Sequence, residues 1–201
     1  MHGIIVLVGG FLLDCLLGDP HNPWHPICLI GYLISFLEKK IRKLFPKQPK
    51  GEFYGGLVMV VLVLFISTAV PIVLLKAVKW IHPYLALVLE IIMCYQLVAA
   101  RSLRDESMKV YHALHQHDIE GARKAVSMIV GRDTQRLDAA GIAKAAVETV
   151  AENASDGVIA PMIFIAIGGV PLGFFYKAVN TMDSMVGYKN EKYLYFGRAA
   201  A

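Results

Sequence analysis

The sequence is poor in cysteine and in charge. Its three cysteines, Cys15, Cys28 and Cys94, form no CxxC pair. That excludes a disulfide-stapled secreted scaffold and a zinc ribbon, and it leaves three free thiols expected in buried apolar stretches. Charged residues make up only 18% of the chain, below the roughly 25% of a soluble domain. No GxxxxGK[ST] run occurs, so no nucleotide site can be located by that motif. No Lys or Arg precedes the first apolar run at 4–17, Asp14 interrupts it, and no small-x-small cleavage site follows. A signal peptide is therefore not expected, and the segment reads as retained. There is no internal repeat and no low-complexity tract.

What is abundant is apolar surface in blocks. The chain of 201 residues is 56% hydrophobic, with a mean hydropathy of +0.53. Such blocks are what a bilayer requires, and they predict an all-α, polytopic integral membrane protein with a helical cytoplasmic polar segment. The run 4–17 is short, enough to span with its flanks or to lie shallowly. Pro20, Pro23 and Pro26 then enforce a compact loop. Residues 27–44 are amphipathic and end in a basic run of Lys39, Lys40, Arg42, Lys43, Lys47 and Lys50, which predicts a surface helix. Beside an apolar span this run reads as a cytoplasmic, lipid-facing segment and not as a nucleic-acid patch. Residues 55–75 carry no charge. With 83–100 they predict a transmembrane hairpin over 55–100, which returns the chain to the cytoplasm. Lys76 and Lys79 in the intervening turn weigh mildly against that orientation. The polar stretch 101–156 is helical by period, with breaks expected at Gly121 and at Gly131-Arg132-Asp133-Thr134. The apolar segment 158–175 is interrupted by Gly168-Gly169-Val170-Pro171, so it is expected to be broken or re-entrant. The whole, 1–201, reads as one membrane-embedded domain.

Several groups of residues are suited to chemistry. Glu148, Glu152 and Asp156 recur at i, i+4 and i+8, which puts three carboxylates on one face of an unbroken helix. Their mutual repulsion would be relieved by a divalent cation such as magnesium, or they form a plain solvated acidic face. Arg132 and Asp133 sit in a turn that either binds an anion or simply caps the next helix through Asp133 or Thr134. Arg101 and Arg104 follow an apolar segment, where they suit lipid head groups or bound phosphate and carboxylate. Asp19, His21 and His25 in the proline-rich loop have no specific metal spacing. Lys177, Asn180, Asp183 and Ser184 share one helical face, and Lys189 follows. Glu90 and Gln96 are polar residues inside an apolar segment, the kind a transporter uses.

Taken together these stretches resemble the adenosylcobinamide-phosphate synthase family of cobalamin biosynthesis (the CbiB/CobD type). The resemblance is carried in order by Leu13-Asp14, Gly18-Asp19-Pro20, His25-Pro26 and Gly31, then Gly55-Gly56 and Ala100-Arg101-Ser102-Leu103. It continues through Val130-Gly131-Arg132-Asp133-Thr134 and Val147-Glu148-Thr149-Val150-Ala151-Glu152-Asn153, with Asp156-Gly157 and Ala160-Pro161. It closes with Tyr176-Lys177-Ala178-Val179-Asn180-Thr181-Met182-Asp183-Ser184-Met185-Val186-Gly187-Tyr188-Lys189 and Glu191-Lys192-Tyr193. It covers the N-terminal two-thirds of the family pattern, and the C-terminal third is expected to be absent. The resemblance implies a ligase of the cell membrane with its site facing the cytoplasm. That ligase joins adenosylcobyric acid to (R)-1-amino-2-propanol or its phosphate through an amide bond, with ATP and Mg2+. It implies catalytic roles for Arg132, Asp133, Glu152, Asn153, Lys177 and Asp183. It implies substrate contacts from Arg101, Arg104, Asn180, Ser184 and Lys189, and magnesium at Glu148, Glu152 and Asp156. The implied partners are the corrinoid, the aminopropanol phosphate and the bilayer, with no nucleic acid; self-association is left open. The alternatives are a transporter or substrate-binding module using the broken apolar segment, and a membrane sensor or scaffold.

Overall fold

The computed structural model describes residues 1–19, 23–131 and 133–201, and among these there are helices and turns but no strand. Apolar sequence with prolines at its boundaries sets the elements. α1 is His2–Leu17, and α2, Pro26–Leu44, opens on Pro26 with His25 as its cap. α3, Pro49–Ile81, is one helix of 33 residues that absorbs Pro71, and α4, Pro83–Tyr95, starts after a single linking residue, His82. α3 and α4 are thereby forced into a tight antiparallel hairpin. α1 lies along α4, where a Cβ on Gly10 would stand 2.5 Å from the Cys94 sulfur. The thiols do not all follow expectation: Cys94 is buried, but Cys15 and Cys28 are exposed on the outside of the bundle.

The polar stretch folds into α5 (Ala100–His115), α6 (Ile119–Ser127) and α7 (Ala139–Ala154). Val110, Ala122, Val126, Ile142 and Ala145 give it a small core of its own. The caps of α6 and α7 are Asp118 and Asp138, which accept the N–H groups of Gly121 and Gly141 at 2.9 and 2.8 Å. The expected break at Gly121 is thus misplaced. Gly121 sits in the first turn of α6, and the chain turns at His117, whose φ is +57°. Neither Asp133 nor Thr134 caps α7.

After α7 the backbone widens into a π turn, Ser155–Ile159, and α8 runs over Ala160–Val186. α8 is not straight. Gly169 adopts φ +71°, and non-helical backbone at Gly168 and Gly169 splits it into 160–167 and 170–186. The Phe164 and Tyr176 ring centroids are 4.8 Å apart, where twelve residues of straight helix would rise roughly 18 Å. The chain therefore doubles back. Its first arm rises only about 12 Å, and its second returns with Phe174, Ala178 and Met182 buried in the bundle.

Among the described residues three helical stretches are long and apolar enough to cross a membrane: Pro49–Ile81, Pro83–His115 and Ala139–Val186. The second is interrupted by the turn after Tyr95, and the third carries the sharp bend just described. α2 is amphipathic as expected, but it does not stand apart as a surface helix. Ile30, Ile34 and Ile41 pack into the bundle core shared with α3 and α8. The stretch 176–201 is likewise not simply polar, because Met182, Val186 and Phe196 are buried. Arg42 pins its end. It donates to the Lys192 carbonyl at 2.7 Å and lies 4.2 Å from the Phe196 ring centroid.

Candidate functional site

The bundle and the α5–α7 unit meet at a reciprocal lock. Buried Asp14, near the end of α1, accepts the N–H groups of Ala100 and Arg101 at 2.8 and 3.1 Å, which caps α5 from another helix. In return Arg101 donates to the Cys15 and Leu16 carbonyls at the end of α1, at 2.8 and 3.3 Å. The Tyr95 hydroxyl donates to the Gly18 carbonyl, and the Asp19 N–H donates to Ser102 Oγ at 3.3 Å. The loop after α1 is thereby held against the start of α5, with the Asp19 side chain turned toward α8.

Beside this lock a cavity of about 400 Å³ opens between α5, the end of α7, the π turn and α8. Glu152, Asn153, Asp156, Lys177, Asn180 and Ser184 line it, together with Ser102 and Glu106. Asn180 Nδ2 donates to Asp156 Oδ2 at 3.4 Å. These two residues meet only because α8 doubles back between them. A second cavity of about 480 Å³ adjoins the first and shares Glu152, Asn153 and Ser184, adding Gly131, Thr149, Asp183 and Tyr188. π turns recur where a helix must re-aim a side chain at a functional site. Here the turn is tied to the α4–α5 link through Ala99 N–H and the Gly157 carbonyl, at 3.1 Å.

Lys177 is buried in the cavity wall at 6% exposure. Behind it, His25 Nδ1 accepts the Ile27 N–H at 3.4 Å, so the ring proton sits on Nε2. Nε2 lies 3.1 Å from Asp19 Oδ1 without making a hydrogen bond to it. Burial holds the His25 pKa below its ordinary value. Asp19 opposes that shift and Lys177 adds to it.

Other expected site residues lie elsewhere. Glu148 is exposed and 3.9 Å from Lys144, outside both cavities. The three carboxylates do not act as one ligand set: among the described residues no three of His, Cys, Asp and Glu are grouped to hold a metal. Glu148 lies one turn back along α7 from Glu152, beyond the cavity lining, and of the three only Glu152 and Asp156 are at the cavity. Asp133 is exposed and accepts the Gln135 N–H at 3.0 Å, in a separate recess beside α6. The Arg101 guanidinium is engaged by α1 and by Asp105 at 2.9 Å, and it lines neither cavity. Arg104 and Lys189 are exposed outside both, and Arg132 lies outside the described residues. Glu90, the acid a transporter would use, is hydrogen-bonded to His2.

Asp14, Asp19, His25, Ser102 and Glu106 were not among the residues expected to build the site. For Asp19 and His25 the signal was the Gly18-Asp19-Pro20 and His25-Pro26 pattern, whose metal spacing is unspecific and which sets both residues near Lys177.

The family model described as CobD/Cbib protein matches residues 7–201. The chain belongs to the CobD/CbiB family. Cobalamin biosynthesis protein CobD of Clostridium perfringens is 49% identical over 195 residues, covering 96% of this chain and 61% of that protein. The CobD protein of Geobacter metallireducens is 46% identical over 199 residues, 99% of this chain and 61% of its own length. Cobalamin biosynthesis protein CbiB of Salmonella typhi is 43% identical over 191 residues, 95% of this chain and 60% of its own. The chain thus spans about three-fifths of the CobD/CbiB relatives it matches. No solved structure matches it.

Proposed function

We propose that this chain forms the greater part of a membrane enzyme of cobalamin biosynthesis, an acid–amine ligase that joins adenosylcobyric acid to (R)-1-amino-2-propanol or its phosphate. The names of the relatives support the pathway. One observation carries the chemistry: Glu152, Asp156, Lys177 and Asn180, from two helices and a π turn, converge on one polar cavity under a helical cap.

A carboxylate is a poor electrophile, so the reaction calls for ATP. The substrate carboxylate attacks the terminal phosphoryl group, ADP leaves, and an acyl phosphate forms. The amine then attacks the carbonyl carbon. The new C–N bond replaces the C–O bond to phosphate, and phosphate departs with the proton the amine gives up. Magnesium suits the donors, since two carboxylates facing a phosphate-sized cavity are the hard oxygen ligands it takes beside a nucleotide. Glu152 and Asp156 would hold it, and when bound it would neutralise phosphate charge. Asn180 orients Asp156, and Lys177 supplies the positive charge of the wall. The basic end of α2 supports a site on the cytoplasmic side of the cell membrane.

The test is complementation of a strain lacking the synthase step and fed cobyric acid. Rescue is expected from the full-length protein and not from Glu152→Ala present at equal level in the membrane. Failure of the full-length wild type would reject the assignment. Undiminished growth with Glu152→Ala would remove that residue from the mechanism.

A further inference from the structure

Lys177 stands out in the cavity. Lysine is almost never fully buried unless paired, yet this one is 6% exposed. Among the described residues its ammonium has no direct hydrogen-bond or ion-pair partner. Asp19 and Asp156 reach it only through longer-range fields. Its stem is buried while its ammonium is not among the wholly buried unpartnered polar atoms, so the charge opens on the cavity, where a ligand can supply the counter-group the protein withholds. The cavity in front of Lys177 has the volume for one.

The other groups of the cavity constrain what that ligand is. Glu152 and Asp156 line it, as does Glu106, which accepts from Lys109 Nζ at 2.6 Å. A bare anion drawn to Lys177 would be repelled by these carboxylates. A ligand that brings a positive charge with its anion satisfies both kinds of group. Ser102 adds a donor at the anionic end: its Oγ already accepts the Asp19 N–H, which leaves its own proton to point into the cavity.

We propose that Lys177 and Ser102 form an anion subsite for a phosphate group, in the same cavity as a cation subsite of Glu152 and Asp156 with Glu106 beside them. The cavity then selects a phosphate carried together with a positive charge. Two ligands share that chemistry, a phosphorylated amino alcohol with its own ammonium and a nucleotide with its magnesium. The inference rests on the proposed function for the choice of these two ligands only. The subsite itself rests on the burial and placement of Lys177.

The experiment is equilibrium binding to the full-length protein in detergent, comparing wild type with Lys177→Met, Lys177→Arg and Ser102→Ala. The probes are the amino-alcohol phosphate without magnesium, the unphosphorylated amino alcohol, ATP with and without magnesium, and magnesium pyrophosphate as a generic probe. A charge-assisted hydrogen bond corresponds to about 10- to 100-fold in affinity. That loss is expected on Lys177→Met for the phosphate-bearing ligand, with partial recovery in Lys177→Arg and no change for the unphosphorylated amine. Loss confined to the amino-alcohol phosphate, or to magnesium ATP, identifies the source. Should Lys177→Met fail to fold by its melting profile, Ser102→Ala carries the test, with about 3- to 10-fold expected for one neutral hydrogen bond. Unchanged affinity for every phosphate ligand in the folded variants overturns the subsite. Wild-type protein that binds magnesium pyrophosphate through Lys177 but neither amino-alcohol phosphate nor ATP keeps the subsite and sinks the proposed function.

Discussion

The bundle of α1–α4 and α8 and the unit of α5–α7 are built to opposite rules. In the bundle large apolar side chains face outward, with Phe65 68% and Trp80 93% exposed, while Gly10 brings α1 close against Cys94. In the α5–α7 unit the apolar residues turn inward, and Ala122, Val126, Ile142 and Ala145 are fully buried. Lipid gives helices no hydrophobic reason to associate, so a bundle in lipid relies on close packing and internal hydrogen bonds. Water gives the second unit that reason directly. The candidate cavity lies at the seam between the two, where polar groups can gather.

The comparison breaks most sharply with a cavity in the water-built unit. Ile142→Ala is expected to cost about 2–5 kcal/mol. Hydrogen exchange should show the loss across α5–α7 while α3 and α4 keep their protection. Loss spread evenly through the bundle would mean that the two regions unfold as one. The bundle should instead be sensitive to added volume. Gly10→Val is expected to cost about 1–3 kcal/mol through overpacking against Cys94, read as a lower melting temperature in detergent with exchange in α6 and α7 unchanged.

Much of this division was legible in the sequence, because it follows from local pattern. Uncharged blocks gave the helices, and Gly168-Gly169-Val170-Pro171 marked the bend that folds Asp156 back to Asn180. The Glu152–Asp156 stripe and the Lys177–Ser184 face were visible as periodicity. The rest depended on distant partners. Arg101 read as a ligand-binding cation because the carbonyls it caps lie 86 and 85 positions away in the chain. Asp14 read as an interruption of an apolar run, and its purpose, to cap α5, is equally non-local. Glu148 was grouped with Glu152 and Asp156 because helical spacing tells which side of α7 a residue is on but not how far along it the cavity reaches. Lys177 was recognised as polar, but burial of a lysine contradicts its usual behaviour and no periodicity reveals it.

The lock between the regions gives the next prediction. Asp14→Ala leaves two N–H groups at the start of α5 without their acceptor, and loss of such a cap costs about 0.5–2 kcal/mol. The distinctive outcome is where the loss falls. It should loosen the 18–25 loop and the start of α5, measured as faster exchange at Ala100 and Arg101, and leave the core of α6 and α7 protected. Protection unchanged at Ala100 and Arg101 would show that Asp14 does not join the two regions.

The smallest effect expected is a pH dependence, since it rests on one titrating group. His25 is neutral in the fold: Nδ1 accepts from Ile27, and burial holds its pKa below the ordinary 6.5. Between the lowered folded value and 6.5 the unfolded chain binds more protons than the folded one, so stability rises with pH across that window. The contribution is complete above about pH 6.5 and is lost as pH falls through the folded value, where protonation also removes the acceptor that caps α2. Asp19 resists this loss and Lys177 promotes it, so the cap responds to the charge of the neighbouring cavity wall. Melting temperatures of the full-length protein in detergent, taken from pH 7.5 down to 5 against His25→Asn, isolate the effect. Asparagine keeps a capping acceptor but does not titrate, so its acid limb should be shallower than that of wild type. Parallel limbs would show that His25 does not couple the bundle to the seam.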